Sequence, residues 1–238
     1  LGLFRKAIKK ISKQCTGNLC FYSSLDVALF AKIYIKSPYL YEVCDLTELT
    51  ISNYLVRTTL AKINKSIIKQ SINTIITSEG FVEYFSDISK EKFSLIPNKV
   101  DPKCPSYIPK KDFLKGDRFK IGFVGVIRFE TIFNFTKAFF ECECDAELHF
   151  YGIYSNGDSF ASKIKEIVDK SNNIFFHGRF DNPIDLPNIY SQIDLLLSTY
   201  PPIPGVIYAE PNKLYEAIYF RCPIIVNDKT FLGRKVQS

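Results

Sequence analysis

Two short stretches place residues where an anion would be held. Gly125 lies near the end of the apolar run Phe119-Lys120-Ile121-Gly122-Phe123-Val124-Gly125-Val126, and Arg128 follows it. A glycine in that place lets the backbone approach a phosphate, and a guanidinium clamps phosphate oxygens with two parallel hydrogen bonds. Further along, Pro211-Asn212-Lys213-Leu214 opens a helical stretch. The first turn of a helix carries unpaired N–H groups and the positive end of the dipole, and Lys213 adds a point charge beside them. The chemistry these residues suit is phosphate binding.

Other chemistries find less support. The seven cysteines, at 15, 20, 44, 104, 142, 144 and 222, are odd in number and read as free thiols. With two histidines in the chain, no four-ligand zinc pattern forms, and no metal site is expected. His149 sits inside the apolar run 146–151 and reads as a core histidine, whereas His177 is nearer a strand end and is kept as an acid–base candidate. Cys44 has no readable histidine partner and is not expected to be a nucleophile.

The elements that must position these residues alternate. Strands are expected at 19–22, 38–43, 73–77 and 93–96, with helices at 24–32, 51–70 and from Ser78, a candidate N-cap. Residues 99–117 hold Pro102, Pro105 and Pro109 with several lysines and little apolar periodicity, the pattern of an inter-domain linker. A second series follows: strands at 119–126, 146–152, 173–178, 193–198 and 223–226, with helices at 131–141, 160–170, 184–192 and 212–220. Continuous apolar strands separated by helices imply parallel sheets covered on both faces. The expected fold is α/β, with two Rossmann-like doubly wound domains facing a cleft, 1–98 and 118–238, each read as partial. No G-x-G-x-x-G opens either series, which disfavours a nucleotide-dependent oxidoreductase.

Composition narrows the partners. The 238 residues carry a net charge of +6. Residues 1–100 hold 14 Lys+Arg against 8 acids, whereas 101–238 are balanced, so the whole excess is in the first part. Within it, residues 4–13 read as a short helix with Phe4, Ile8 and Ile11 on one face and cations on the rest, suited to an anionic membrane surface or a phosphorylated acceptor. No nucleic-acid motif is visible, and no apolar run reaches the eighteen or so residues of a membrane-spanning helix. No secretory signal is read at the start, so a cytoplasmic location, peripheral at the inner membrane face, is expected.

The stretch 210–226, Glu-Pro-Asn-Lys-Leu-Tyr-Glu-Ala-Ile-Tyr-Phe-Arg-Cys-Pro-Ile-Ile-Val, resembles the donor-site motif of the retaining GT-B glycosyltransferases (the group 1, family 4-like class), in the form Pro-x-Lys-Leu-x-Glu, a helix, then Pro-Ile/Val-Ile/Val. Supporting segments come in the family's order. Ile75-Ile76-Thr77-Ser78-Glu79-Gly80 looks like its late strand and turn. Leu95-Ile96-Pro97-Asn98-Lys99-Val100-Asp101 looks like its crossover, with Lys99 in place of a glycine. Phe123 to Arg128 looks like its Gly-x-x-Arg phosphate loop, and 175–179 and 190–194 complete the set.

That resemblance implies transfer of a sugar, with retention, from a nucleotide-sugar donor, first of all a UDP-sugar, to an acceptor hydroxyl without a required cofactor or metal. The setting it implies is capsular, O-antigen or other surface polysaccharide synthesis, with an oligosaccharide or lipid-linked acceptor. Gly125, Arg128, Asn212, Lys213 and Leu214 then belong to the donor's phosphate site, Glu216 accepts from the ribose hydroxyls, and Gly178 and Arg179 contact the base. Arg128 and Lys213 stabilise charge on the leaving diphosphate, and Asp45 faces the reacting sugar or acceptor. The sequence departs from the pattern in three places. Tyr208 stands where many relatives have a first glutamate, Cys44 where they have a histidine, and Phe133 where they have a lysine. These departures keep open a catalytically inactive partner of the same fold. A nucleotide-sugar epimerase is the other alternative, and it would need more acid–base groups than are seen.

Overall fold

The computed structural model describes residues 17–106, 117–142 and 144–237. The expected basic helix at 4–13 and the stretch 107–116 of the expected linker lie outside the described residues.

By contact the chain divides into two compact units. The first takes in the chain up to Asn98 together with Ile203–Glu210, and the second takes in Lys99–Pro202 and the chain from Pro211. The expected strands and helices are found, with ends shifted by a few residues.

In the first unit, β1 (Cys20–Tyr22), β2 (Tyr39–Val43), β3 (Asn73–Ile76) and β4 (Phe93–Leu95) form a parallel sheet in chain order. The crossovers are α1 (Leu25–Tyr34), α2 (Tyr54–Gln70) and the short α3 (Gly80–Tyr84). A 3-10 turn, Thr47–Thr50, precedes α2, which starts three residues later than its apolar pattern suggests because Asn53 caps it, accepting from the Val56 N–H at 3.2 Å. Ile67 and Ile68 of α2 join Tyr39, Tyr41, Val43 and Ile76 in one apolar core. A buried polar chain crosses it: Tyr41 donates to Asn64 Oδ1 at 3.0 Å, and Asn64 Nδ2 donates to Glu48 at 3.0 Å. Tyr41, Asn64 and one Glu48 oxygen are joined in series, while Glu48 Oε2 is buried without a hydrogen-bond partner among the described residues.

The segment 203–210, far along the sequence, completes this unit. The N-cap of α3 is Glu79 rather than the expected Ser78, whose Oγ accepts from the Gly80 N–H at 3.1 Å and donates to the distant Tyr208 carbonyl at 2.6 Å. Glu210 is 3% exposed and accepts from the Glu79 N–H at 2.8 Å. Its carbonyl accepts from Asn98 Nδ2 at 3.0 Å.

In the second unit, β5 (Phe119–Ile127), β6 (Ala146–Tyr154), β7 (Ile174–Gly178), β8 (Leu195–Ser198) and β9 (Ile224–Val226) form a parallel sheet in the order β7-β6-β5-β8-β9. The helices are α4 (Glu130–Glu141), α5 (Ser159–Val168), α6 (Leu186–Gln192), α7 (Asn212–Tyr219) and α8 (Phe231–Gln237). Two apolar cores form. One gathers Phe123, Ile127, Phe150 and Leu197 with Ile132, Phe139 and Ile164 of α4 and α5. The other gathers Val124, Tyr151 and Leu196 with Ile189 and Tyr190 of α6, Ala217 of α7 and Phe220 just past its end. Helices on both faces of a parallel sheet make it doubly wound, and its strand order reverses between β5 and β8, the place where such folds bind ligands at the carboxyl ends of the strands. No helix among the described residues is long and apolar enough to cross a membrane.

Candidate donor-phosphate site

A cavity of about 160 Å³ opens at that reversal point. Arg128 and Phe129, just past β5, line one side; Ser198, Thr199 and Tyr200, at the end of β8, line another; Lys213 of α7 closes it. Two of the candidate residues, Arg128 and Lys213, therefore line the cavity, and a third, Gly125, lies beside Lys213.

The close approach depends on glycine. Gly125 has φ +133°, and a Cβ there would sit 2.8 Å from Lys213 Nζ. A side chain at this position would displace the ammonium. Lys213 Nζ lies 5.2 Å from the Phe123 ring centre and 5.6 Å from that of Tyr200, and donates to Tyr200 Oη at 3.2 Å. Arg128 is exposed and its guanidinium lies 4.5 Å over the Phe129 ring. Phe129 itself takes φ +77°, unusual for a bulky residue and costing on the order of 1–3 kcal/mol. Its ring meets Tyr200 edge-on at 6.1 Å, so the two cations rest on a connected aromatic floor.

Anion-binding capacity is left open on the protein side. Ser198 Oγ and Thr199 Oγ1 are buried with no hydrogen-bond partner among the described residues. Unmet polar atoms of this kind cost about 1–3 kcal/mol each, a demand that a ligand can meet. The N-cap of α7 is Pro211, whose side chain caps nothing, so the first-turn N–H groups of Asn212 and Lys213 are offered outward.

The remaining candidates are placed as follows. Asn212 is exposed at the start of α7. Leu214 is buried and its N–H donates to the Pro211 carbonyl, so its contribution is to the helix. Glu216 does not line the cavity: it is 8% exposed and accepts from the Tyr190 hydroxyl at 2.7 Å. Burial and the Glu216 carboxylate hold the Tyr190 hydroxyl well above its ordinary range, so it stays a donor. Gly178 ends β7 with φ +80°, and Arg179 beyond it is exposed; neither lines the cavity. Asp45 is exposed past the end of β2 in the first unit. Beside it, burial and the neighbouring Glu42 and Asp45 push the Cys44 thiol up to about 11, which makes it a poor nucleophile.

The two histidines pair with each other. His149 Nδ1 and His177 Nε2 are 2.9 Å apart, and His149 Nε2 is 3.0 Å from Glu147. His149 is the satisfied core histidine expected. His177 is engaged with it rather than with the cavity, although it is exposed. Among the described residues no group of three or more His, Cys, Asp or Glu is arranged to hold a metal ion.

Sequence reasoning missed Tyr200, Phe129, Ser198 and Thr199. The signal for them lies in the strand order, which brings the ends of β5 and β8 together and is not written in local spacing.

No protein-family profile matches this chain, and no curated protein does. Solved structures do. Sucrose-phosphate synthase from Thermosynechococcus elongatus superposes with a TM-score of 0.70 at 17% identity, over 94% of this chain and 59% of that one. The lipopolysaccharide outer core galactosyltransferase WaaB, in its apo form, gives 0.62 at 16% identity, over 98% and 61%. A TarM variant from S. aureus, in complex with fondaparinux, α-GlcNAc-glycerol and UDP, gives 0.62 at 13%, over 94% and 44%. The chain thus spans about three-fifths or less of these structures' lengths and shares the GT-B fold of glycosyltransferases.

Proposed function

We propose that the protein is a glycosyltransferase that moves a hexosyl group from a nucleotide-sugar, with UDP as the base carrier, to an acceptor hydroxyl with retention. The observation that carries this reading is that Arg128 and Lys213, the latter seated beside Gly125, line one cavity together with two hydroxyls that have no partner among the described residues, at the start of α7. UDP in the TarM complex and the galactosyl transfer named for WaaB favour a UDP-sugar.

The chemistry follows from charge. As the bond between the anomeric carbon and the diphosphate oxygen breaks, negative charge grows on the leaving group. Arg128, Lys213 and the N–H groups of Asn212 and Lys213 are fixed before that happens, so they stabilise the charge without rearranging. The acceptor oxygen bonds to the anomeric carbon on the face the diphosphate leaves, and its proton departs with the diphosphate. Glu216, held by Tyr190 through one oxygen, keeps the other for the ribose hydroxyls. Gly178 and Arg179 serve the base, and Asp45 the acceptor. The acceptor class is an oligosaccharide or lipid-linked sugar of surface polysaccharide synthesis, met at the inner membrane face.

The test is a thermal-unfolding series with UDP, GDP and ADP and their common sugars, on the native chain and on Lys213→Ala. A ligand at about a hundredfold its Kd adds about 2.7 kcal/mol, or a few degrees. A shift with UDP that Lys213→Ala abolishes, and UDP release from a UDP-sugar in the presence of an acceptor, are expected. Absence of any shift from a folded native chain would overturn the donor site. Binding without UDP release across acceptors would favour the inactive partner.

A further inference from the structure

The turn between β6 and α5 holds the chain's one Asn-Gly pair, Asn156-Gly157. Every other asparagine is followed by a residue that carries a side chain. Both residues of the pair are exposed. Gly157 has φ +75°, and a Cβ built on it would meet nothing within 4 Å. Among the described residues neither the Asn156 side-chain amide nor the Gly157 N–H has a hydrogen-bond partner. A single backbone bond closes the turn: the Asp158 N–H donates to the Ser155 carbonyl at 3.3 Å, longer than most such bonds.

An unengaged amide carbon, an unengaged backbone nitrogen one residue on, and a glycine that lets the backbone rotate are the conditions for an intramolecular reaction. We propose that Asn156 is a site of self-modification. The Gly157 nitrogen, once deprotonated, bonds to Asn156 Cγ. The bond from Cγ to the side-chain nitrogen breaks, and ammonia leaves with the proton that the Gly157 nitrogen gave up. The product is a succinimide ring. Water then adds to one of its two carbonyl carbons and opens the ring. Opening at Cγ gives aspartate. Opening at the backbone carbonyl gives isoaspartate, in which the chain runs through the former side chain. One ammonia leaves, one water enters, and no electron is transferred.

The surroundings make the two products unequal. On one side of the turn, the Ser155 N–H donates to the Ile127 carbonyl at 3.0 Å, where β5 ends and Arg128 follows. On the other side, Asp158 caps α5, accepting from the Phe160 and Ala161 N–H groups, both at 2.9 Å. Aspartate at 156 leaves the path between these anchors unchanged and puts a carboxylate near the positive end of α5, where it is well placed. Isoaspartate adds one backbone atom to the same short path. The two anchors then no longer match, and the cap of α5 is the one released. The inference stands apart from the transferase reading, since neither its chemistry nor its test involves a nucleotide.

The experiment ages the full folded chain at physiological temperature, at about pH 7 and about pH 8. Peptide mapping by mass spectrometry locates the converted amide, and methyl acceptance in the presence of an isoaspartyl-specific methyltransferase separates isoaspartate from aspartate. Conversion confined to Asn156 is expected, faster by about tenfold per pH unit because the attacking nitrogen must first ionise. Asn156→Gln would have to close a larger ring and should stay unmodified. The aged native chain should melt about 2–4 °C below the fresh one, the effect of a lost helix cap in a chain of this size, whereas Asn156→Asp should melt with the fresh chain. Conversion seen only after denaturation, or at other asparagines ahead of Asn156, would overturn the site. An aged native chain that keeps its Tm, or an aged Asn156→Gln chain that loses as much, would overturn the release of the α5 cap.

Discussion

Lys213 and Tyr200 hold each other: the ammonium donates to the phenol oxygen at 3.2 Å while lying 5.6 Å from the centre of the same ring. One of the three donors of Lys213 is thereby spent on orientation, and the other two are free for an anion. Tyr200→Phe keeps the ring and removes the anchor. Donor turnover should fall about tenfold with KM changed less, because the loosened cation matters most where charge develops. Steady-state kinetics with the identified donor checks this, and an unchanged kcat would remove Tyr200 from the positioning of Lys213.

Gly152 has φ +145°, and a Cβ on it would lie 1.8 Å from the Gly125 carbonyl oxygen across the β5–β6 pair. The obstacle is backbone and cannot swing away. Gly152→Ala should cost about 2–4 kcal/mol and also weaken UDP binding, since the displaced strand carries Gly125. Denaturant unfolding and a nucleotide titration read the two effects separately. Gly125→Ala should behave differently: its obstacle is the tip of a lysine, so anion binding is lost with a smaller change in stability.

The Tyr190–Glu216 bond is buried on both sides. Tyr190→Phe would leave a carboxylate oxygen without its donor, at about 1–3 kcal/mol, a fall of several degrees in Tm. If Glu216 also serves the ribose, Glu216→Gln should bind UDP more weakly than its modest loss of stability explains, by comparison with inorganic diphosphate.

Burial lowers the pKa of both His149 and His177; Glu147 opposes this at His149, Lys120 adds to it, and at His177 the neighbouring His149 adds to it. The folded state therefore favours the neutral rings. The unfolded chain takes up protons from its ordinary pKa of about 6.5, so this contribution is complete above that pH and is lost as pH falls below it. Two imidazolium rings would also turn donor against donor across 2.9 Å. Tm should drop between about pH 7 and pH 5 more in the native chain than in His177→Gln. Parallel curves would show that the pair does not titrate.

The elements were legible in the sequence because each carries its own period or apolar run, and the motif around Asn212 and Lys213 is local as well. Of the candidate site, Arg128 and Lys213, which line the cavity, and Gly125, which lies beside Lys213, were legible from residue type and local motif. Tyr200 was not, because its meaning comes from β8 lying beside β5. The role of Glu210 was not legible either: it accepts from the Glu79 N–H, 131 residues away in the chain. Nothing within a helical turn or a strand's alternation records a bond of that span.

The path of the chain through Ile203–Glu210 also sets an order of assembly. The first unit closes around Ser78, Glu79 and Asn98 only with residues that follow most of the second unit in the sequence. During synthesis the N-terminus of α3 stays without its Tyr208 and Glu210 partners until residue 210 has left the ribosome. Cutting the chain after Asn98 would give a fragment deprived of its own last segment, and folding becomes one interlocked event with the long loop closures that slow it.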